Sequence, residues 1–134
     1  MALRWYSVVV DCQDPRALAA WWAQVLGWRT AFEADDEVVI IPPHMFAEDF
    51  AERVPARERG QGLVFVPVPE GKTVKNRLHI DLAPEGGDDQ EAEVQRLLDA
   101  GARRVDVGQG PEVSWVVLAD PEGNEFCVLS PRDL

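Results

Sequence analysis

Polar and apolar side chains alternate along residues 77–82 of this sequence. Arg77, His79 and Asp81 are each two residues apart, and the residues between them are apolar. Because successive side chains of a β-strand point to opposite faces, the pattern predicts a strand with one polar and one apolar face. Such a polar row can bind a ligand, and the imidazole of His79 can act as an acid or a base near neutral pH. The row can equally be an internal set of ion pairs and hydrogen bonds.

The chain contains two cysteines, Cys12 and Cys127. Cys127 alternates with Phe126 and Val128 on a predicted strand, so it is expected to face the same ligand cleft as the polar row in the fold predicted below. A thiolate there could act as a nucleophile, but small buried cysteines are common packing residues, and packing is the favoured interpretation. Two cysteines are too few for a disulfide framework, and the first residues lack a signal-peptide pattern. Both observations predict a cytoplasmic protein.

The sequence is rich in tryptophan, with five in 134 residues. Trp5 and Trp115 fall on predicted strands, where an indole could form an aromatic wall against a flat ligand. Plain core packing is the alternative for each of them. The other three tryptophans flank the first predicted helix and suit a core or a dimer interface.

The first half of the chain, residues 1–68, predicts a strand, a helix and three further strands. Asp14 and Pro15 are the N-cap and first position of the helix, and Gly27 is its expected left-handed C-cap. Strands are predicted at residues 4–11, 28–32, 38–41 and 63–68. An insert at residues 44–60 interrupts the pattern, and its spacing of apolar residues predicts a short amphipathic helix before Pro55.

The second half, residues 76–134, repeats this order. Asp88 or Asp89 caps the second helix, which is expected to end at Gly101. Asp120 to Gly123 has the composition of a type I turn between the last two strands. Strands are predicted at residues 77–82, 103–107, 113–119 and 125–129, with the apolar face of the first covered by a helix.

The repeated order predicts an α+β fold in which one domain, residues 1–134, contains two βαβββ modules. Two such modules side by side would form a curved eight-stranded mixed sheet with helices on its convex face and a cleft on its concave face. The formal net charge is −11, and both halves are acidic. Such a surface argues against binding to nucleic acid or anionic membranes. An acidic surface would suit a cationic ligand, although the solubility that a net charge confers is enough to explain the acidity.

Three segments resemble a known family. Residues 10–28 (VDCQDPRALAAWWAQVLGW) look like the first strand and helix of the vicinal-oxygen-chelate superfamily, which contains glyoxalase I, extradiol dioxygenases and bleomycin-resistance proteins. Residues 120–129 (DPEGNEFCVL) resemble its closing hairpin. Residues 65–82 (FVPVPEGKTVKNRLHIDL) are similar to a glyoxalase-like subgroup. The resemblance implies the two-module fold and a homodimer.

The superfamily's enzymes hold a divalent metal with one ligand from each of four strands. By position, the resemblance places these ligands at Ser7, at Phe65 or Val66, at His79 and at Cys127. Only His79 is a usual ligand type, and a His with a Cys alone does not hold a metal tightly. No metal and no other cofactor is therefore expected.

The resulting prediction is a small-molecule-binding protein of the bleomycin-resistance kind, with a cationic or aromatic ligand. Two alternatives stay open: a metal-dependent lyase, isomerase or dioxygenase of the superfamily, and a metal-independent lyase or isomerase using His79 with Asp81. The residues do not decide between binding and catalysis. The predicted ligand-binding residues come from both modules: Trp5, Ser7, Phe65, Arg77, His79, Asp81, Trp115 and Cys127.

Overall fold

The structure is a computed structural model that describes residues 3–60, 62–85 and 87–132. The chain divides into two compact units, residues 1–71 and residues 72–134. Each unit holds one four-stranded mixed sheet and at least one helix, so the predicted α+β class and the pair of βαβββ modules are confirmed. Among the described residues, no helix has the length and apolar character needed to cross a membrane.

The sheet of the first unit has the strand order β1-β4-β3-β2. β1 and β4 run parallel, and the other neighbours run antiparallel. The strands are β1 (Ser7–Cys12), β2 (Arg29–Ala34), β3 (Glu37–Ile41) and β4 (Gly62–Pro67).

Helix α1 (Pro15–Leu26) begins and ends where the sequence predicts. The Asp14 carboxylate accepts a hydrogen bond from the Ala17 amide, and Gly27 ends the helix with a φ of 68°, a conformation that only glycine adopts without steric cost. The helix packs on β3 and β4. Its buried face joins buried side chains of those strands to form the core: Leu18, Trp22, Val25, Val38, Ile40, Leu63 and Phe65.

The insert differs from the predicted single helix because it consists of three short turns. A 3-10 turn at Pro43–Phe46 is followed by the four-residue helix α2 (Phe50–Arg53) and by a second 3-10 turn at Ala56–Glu58. Phe50 is buried, whereas Phe46 is exposed and lies under the guanidinium of Arg29. The apolar spacing therefore does not correspond to one continuous helix with a single buried face.

The second unit repeats the first, with the strand order β5-β8-β7-β6. β5 and β8 run parallel, and the remaining pairs run antiparallel. The strands are β5 (Ile80–Leu82), β6 (Arg103–Arg104), β7 (Val116–Ala119) and β8 (Glu125–Val128). Helix α3 (Gln90–Asp99) is capped by Asp89, and its C-cap is Ala100 rather than the predicted Gly101.

The segment before β5 is the main departure from the predicted strands. β5 begins at Ile80, so Arg77 and His79 precede it instead of lying within it. Leu78 is 89% exposed, and the prediction that a helix covers it is wrong. The physical reason is that this segment is held to β8 by Lys72 and Asn76 rather than by a strand ladder.

Candidate functional site

A pocket of about 290 Å³ opens in the second unit. That volume lies near the lower end of the range for sites that hold small molecules. Its residues come from the segment before β5, from β5, from β7 and β8, and from the loops at their ends. They comprise an apolar group, Val107, Trp115, Val117 and Leu129, and a polar group, Lys75, His79, Asp81, Glu125 and Cys127.

Three side chains of the polar group converge on one point. Asp81 and Cys127 are directly opposite in the register of the parallel strands β5 and β8, and His79 lies two residues before Asp81. The Nε2 atom of His79 is 3.1 Å from Oδ1 of Asp81. One donor atom from each of His79, Asp81 and Cys127 can be chosen so that all three lie within 4.8 Å of one another.

The Cys127 thiol is not set up as a nucleophile. Burial raises the pKa of this thiol, and the neighbouring Asp81 carboxylate, which accepts a hydrogen bond from it, raises the pKa further against an opposing effect of Lys75. The side chain is only 8% exposed. Because the thiolate is the reactive form, these surroundings keep the sulfur protonated near neutral pH.

Glu125 also lines the pocket, and both of its carboxylate oxygens already accept hydrogen bonds. Lys72 Nζ donates to Oε2 of Glu125 at 2.5 Å, and the Asn76 amide donates to Oε1 at 2.7 Å. Burial alone would raise the pKa of Glu125, but these two hydrogen bonds and the charges of Lys72 and Lys75 outweigh it and leave the pKa below its usual value. Glu125 therefore fixes the segment that carries Lys75 and His79 on the pocket.

Trp115 supplies the aromatic surface of the pocket. It immediately precedes β7 and is 41% exposed, so part of the indole is available to a ligand. Val117 and Cys127 are paired in the register of β7 and β8 and are both buried. The lining of the pocket thus combines apolar side chains and an indole with the half-exposed carboxylate of Asp81.

The structure brings together four of the eight residues predicted for the site: His79, Asp81, Trp115 and Cys127. Arg77 lies on the bend before His79 and outside the residues that line this pocket. Trp5, Ser7 and Phe65 belong to the first unit. Of these, Trp5 is largely exposed and Ser7 is half-buried, whereas Phe65 has no exposed surface and lies in the core beside α1.

Two polar lining residues, Lys75 and Glu125, were not predicted as ligand-binding residues. The signal for Glu125 is present in the sequence, because it lies two residues before Cys127 on a predicted strand and so shares its face. Lys75 has no such signal, since it lies in an irregular segment. The contacts of Asn76 and Lys72 with Glu125 bring that segment to the pocket.

The two-module topology and the position of the pocket define a protein of the vicinal-oxygen-chelate fold. A family model described as "Glyoxalase-like domain" matches residues 7–129, and the chain belongs to this family. No curated protein sequence gives a significant match.

Solved structures with the same fold include a binding protein and enzymes. A glyoxalase/bleomycin resistance protein/dioxygenase family enzyme from Burkholderia phytofirmans PsJN is 17% identical, with 97% of this chain and 100% of that chain covered and a TM-score of 0.65. A bleomycin-binding protein from Streptomyces verticillus, in complex with copper(II)-bleomycin, is 16% identical, with coverages of 98% and 99% and a TM-score of 0.56. The oxidase ChaP-H2 is also 16% identical, with coverages of 98% and 96% and a TM-score of 0.60. At these identities the likeness establishes the fold alone.

The four metal-ligand positions that the superfamily implies do not fit a metal in this chain. Ser7 offers only a neutral hydroxyl, and Phe65 and Val66 have no donor atom in their side chains. Phe65 is in addition fully buried in the core. Half of the superfamily's ligand set is therefore chemically absent.

Proposed function

We propose that the pocket of the second unit binds a small, flat molecule with an aromatic ring and a positively charged or hydrogen-bond-donating edge. The observation that supports this most directly is the combination of a partly exposed indole, Trp115, with a half-exposed carboxylate, Asp81, in one pocket. The protein would act as a binding protein, with recognition rather than turnover as its primary chemistry.

Trp115 accounts for the aromatic part of the ligand. An indole gives a large apolar surface with a negative face, so flat rings stack on it and cations are attracted to it. The neighbouring side chains Val107, Val117 and Leu129 offer further apolar contact without competing hydrogen bonds.

Asp81 accounts for the charged or donating edge. The pocket contains two carboxylates, but Glu125 is already paired with Lys72 and the amide of Asn76. Asp81 keeps further lone pairs after its contacts with His79 and Cys127, because a carboxylate has about four acceptor positions. A ligand cation would therefore meet Asp81 rather than Glu125.

The relatives support binding as a class of function. One protein of the same fold is described as bleomycin-binding, and this chain shares its topology over nearly the full length. The pocket of about 290 Å³ suits a molecule much smaller than that antibiotic. A homodimer, which the superfamily resemblance implies, is part of this proposal.

The proposal can be tested with three matched probes: 1-naphthylmethylammonium, 1-naphthylacetate and cyclohexylmethylammonium. They separate the aromatic ring from the sign of the charge. We expect saturable binding of the aromatic cation by calorimetry, with weaker binding of the other two. Trp115→Ala should weaken binding of the aromatic cation by about tenfold, the equivalent of one stacking contact.

Phe46→Ala is the matched control, because Phe46 is an aromatic residue of similar exposure to Trp115 that does not line the pocket. Equal weakening by both alanine variants would refute a site at Trp115. A preference for 1-naphthylacetate would reassign the ligand's charge and indicate that Lys75, the lining cation, is the polar anchor instead of Asp81.

A metal-dependent lyase, isomerase or dioxygenase is the second candidate function. The observation in its favour is the convergence of the donor atoms of His79, Asp81 and Cys127 in the pocket. Turnover that requires a divalent metal and is abolished by His79→Ala would support this candidate over simple binding.

A further inference from the structure

Lys75 lines the pocket and forms no ion pair with any carboxylate in the described part of the chain. Its Nζ atom donates a hydrogen bond to the carbonyl oxygen of the next residue, Asn76, at 3.3 Å. An ammonium group has three donors, so two remain for another acceptor. The chain's other lysine, Lys72, is already paired with Glu125. Lys75 is therefore the lysine that can meet a ligand in this pocket.

Hydrogen bonds on both sides of Lys75 hold its backbone against β8. Before it, Lys72 pairs with the carboxylate of Glu125. After it, the backbone amide of Asn76 donates to Oε1 of Glu125 at 2.7 Å, and the Asn76 side chain donates to the backbone carbonyl of Glu125 at 3.4 Å. Because the chain is fixed on both sides, only the side chain of Lys75 has to be ordered when an anion binds to it.

The charge of Lys75 acts on the interior of the pocket. Burial and the neighbouring Asp81 raise the pKa of the Cys127 thiol, and the charge of Lys75 opposes both effects. Against the effect of burial, Lys75 also contributes with Lys72 to the lowered pKa of Glu125. A charge that influences the ionisation of two lining residues is close enough to act on a bound ligand as well.

Asp81 supplies the opposite charge in the same lining. Lys75 and Asp81 are both described residues of the pocket, yet they form no ion pair with each other. Oδ1 of Asp81 instead lies 3.1 Å from Nε2 of His79. Two opposite charges that line one small pocket without pairing are complementary to a ligand that carries both signs.

We propose that the ligand is zwitterionic, with a flat ring on Trp115, a cationic group on Asp81 and a carboxylate on Lys75. This inference rests on the proposed function and adds a second charge to it. Aromatic α-amino acids and related aromatic amines with an acidic group have this chemistry. Three different contacts around one carbon atom also distinguish mirror images, so the pocket should prefer one enantiomer of such a ligand.

Calorimetry on the full chain with 1-naphthylmethylammonium and both enantiomers of 1-naphthylglycine tests the second charge. The amino acid differs from the amine only by a carboxylate on the methylene carbon. We expect one enantiomer to bind about fivefold tighter than the amine, the equivalent of one partly exposed ion pair. The other enantiomer cannot place all three groups at once and should bind no tighter than the amine.

Lys75→Met should remove both the advantage of the carboxylate and the difference between the enantiomers. It should not weaken the binding of 1-naphthylmethylammonium, because it removes a charge of the same sign as the probe. Lys75→Arg keeps the positive charge and should keep the preference. Arg104→Met is the matched control, because it removes an exposed cation of β6 that does not line the pocket, and it should leave the preference unchanged.

The absence of a second charge is distinguishable from a failure of the proposed function. If 1-naphthylmethylammonium binds as tightly as both enantiomers of 1-naphthylglycine or more tightly, the zwitterion is wrong and the proposed function stands. Equal affinities of the two enantiomers would overturn the three-contact arrangement. Equal weakening of 1-naphthylglycine by Lys75→Met and Arg104→Met would overturn the role of Lys75. If none of the three probes binds, the proposed function fails and the zwitterion fails with it.

Discussion

The Asp81 carboxylate interacts with both the His79 ring and the Cys127 thiol. At the scale of single residues it is the centre of the candidate site, because it lies next to the imidazole and accepts a hydrogen bond from the thiol. The arrangement differs from a cysteine–histidine pair, in which the imidazole accepts the thiol proton and activates the sulfur. Here the thiol faces a negative charge, which opposes ionisation.

Replacing Asp81 by Asn should therefore make Cys127 more reactive in chelator-treated protein. Burial raises the thiol pKa above its usual value and the carboxylate raises it further, so the thiolate fraction at a fixed pH near 8 is reduced. Removal of the charge should lower the pKa and increase the rate of alkylation by iodoacetamide severalfold.

The measurement is made in a Cys12→Ser background so that only one thiol reacts. Asp99→Asn, which makes the same change of charge on the exposed surface of α3, should leave the rate unchanged. An unchanged or slower rate in Asp81→Asn would contradict the effect assigned to the carboxylate.

The chemistry of these residues was readable from the sequence, and Cys127 was expected on the same side as the polar row, but the strand register that brings them together was not predicted. The alternation at residues 77–82 correctly put His79 and Asp81 on one side. That Asp81 lies opposite Cys127 follows from the pairing of β5 with β8, two strands more than 40 residues apart in sequence. Register between distant strands is set by tertiary packing, which a local pattern does not contain.

At the scale of elements, the contact of Lys72 with Glu125 ties an irregular segment to the central strand β8. Lys72→Met should lower the free energy of unfolding by about 3 kcal/mol, because it leaves a buried carboxylate without its cation. Arg53→Met is the matched control, since Arg53 pairs with Asp49 on an exposed surface and should cost only about 0.5 kcal/mol. Urea denaturation measures both, and equal costs would contradict a structural role for the buried pair.

The same pair predicts how stability depends on pH. The pKa of Glu125 is lower in the folded protein than its usual value of 4.5, so its contribution is fully present above that value. The contribution is lost as the pH falls from about 5 through the folded pKa, because the unfolded chain binds the proton more readily. Lys72→Met should therefore show a shallower loss of stability in this acid range than the unaltered protein. A parallel pH profile for the two proteins would contradict the assignment.

The turn between β7 and β8 is held by a fully buried aspartate. Oδ1 of Asp120 accepts hydrogen bonds from the amides of Glu122 and Asn124 at 2.9 and 3.0 Å. Asp120→Ala leaves these amides without that acceptor and should cost about 2 kcal/mol in urea denaturation. Asp36→Ala, in the exposed turn between β2 and β3, should change stability by less than about 0.5 kcal/mol. A cost below 0.5 kcal/mol for Asp120→Ala would be the contrary result.

Elements with local signals were predicted well, and the others were not. The start and end of α1 follow from Asp14, Pro15 and Gly27, whose effects act within a few residues. The segment before β5 was predicted as strand because its side chains alternate, yet its conformation is decided by contacts with Glu125, about 50 residues away. Alternation alone does not distinguish a paired strand from an extended segment held by side chains.

At the scale of the whole molecule, the two units have the same strand order but different chemistry. Both sheets pair their first and fourth strands in parallel at one edge. The repeated pattern of strand, capped helix and three strands was enough to predict this topology. The difference in residue chemistry was also visible in the sequence, because Ser7 stands in the first unit at the position that, by the superfamily resemblance, corresponds to His79 in the second.

The exposed apolar surface of the first unit leads to the last prediction, a homodimer in solution. Several large apolar side chains at and before β1 and on β2 are more than half exposed: Leu3, Trp5, Tyr6, Val9 and Phe32. Clusters of this kind in a folded chain are typical of association surfaces. Light scattering should give the mass of a dimer, and the neutral double variant Trp5→Ser, Tyr6→Ser should shift the protein toward monomer.

Salt provides an independent check on the nature of this association. Each chain has a formal charge of −11, so two chains repel each other while apolar contact attracts them. Added salt screens the repulsion within about 8 Å at physiological ionic strength, and the dimer should therefore tighten as salt is raised. Leu78→Ser, which removes an equally exposed side chain from the second unit, is the control and should leave the mass unchanged. A monomer at all salt concentrations, or a dimer that salt dissociates, would show that the apolar surface of the first unit does not drive association.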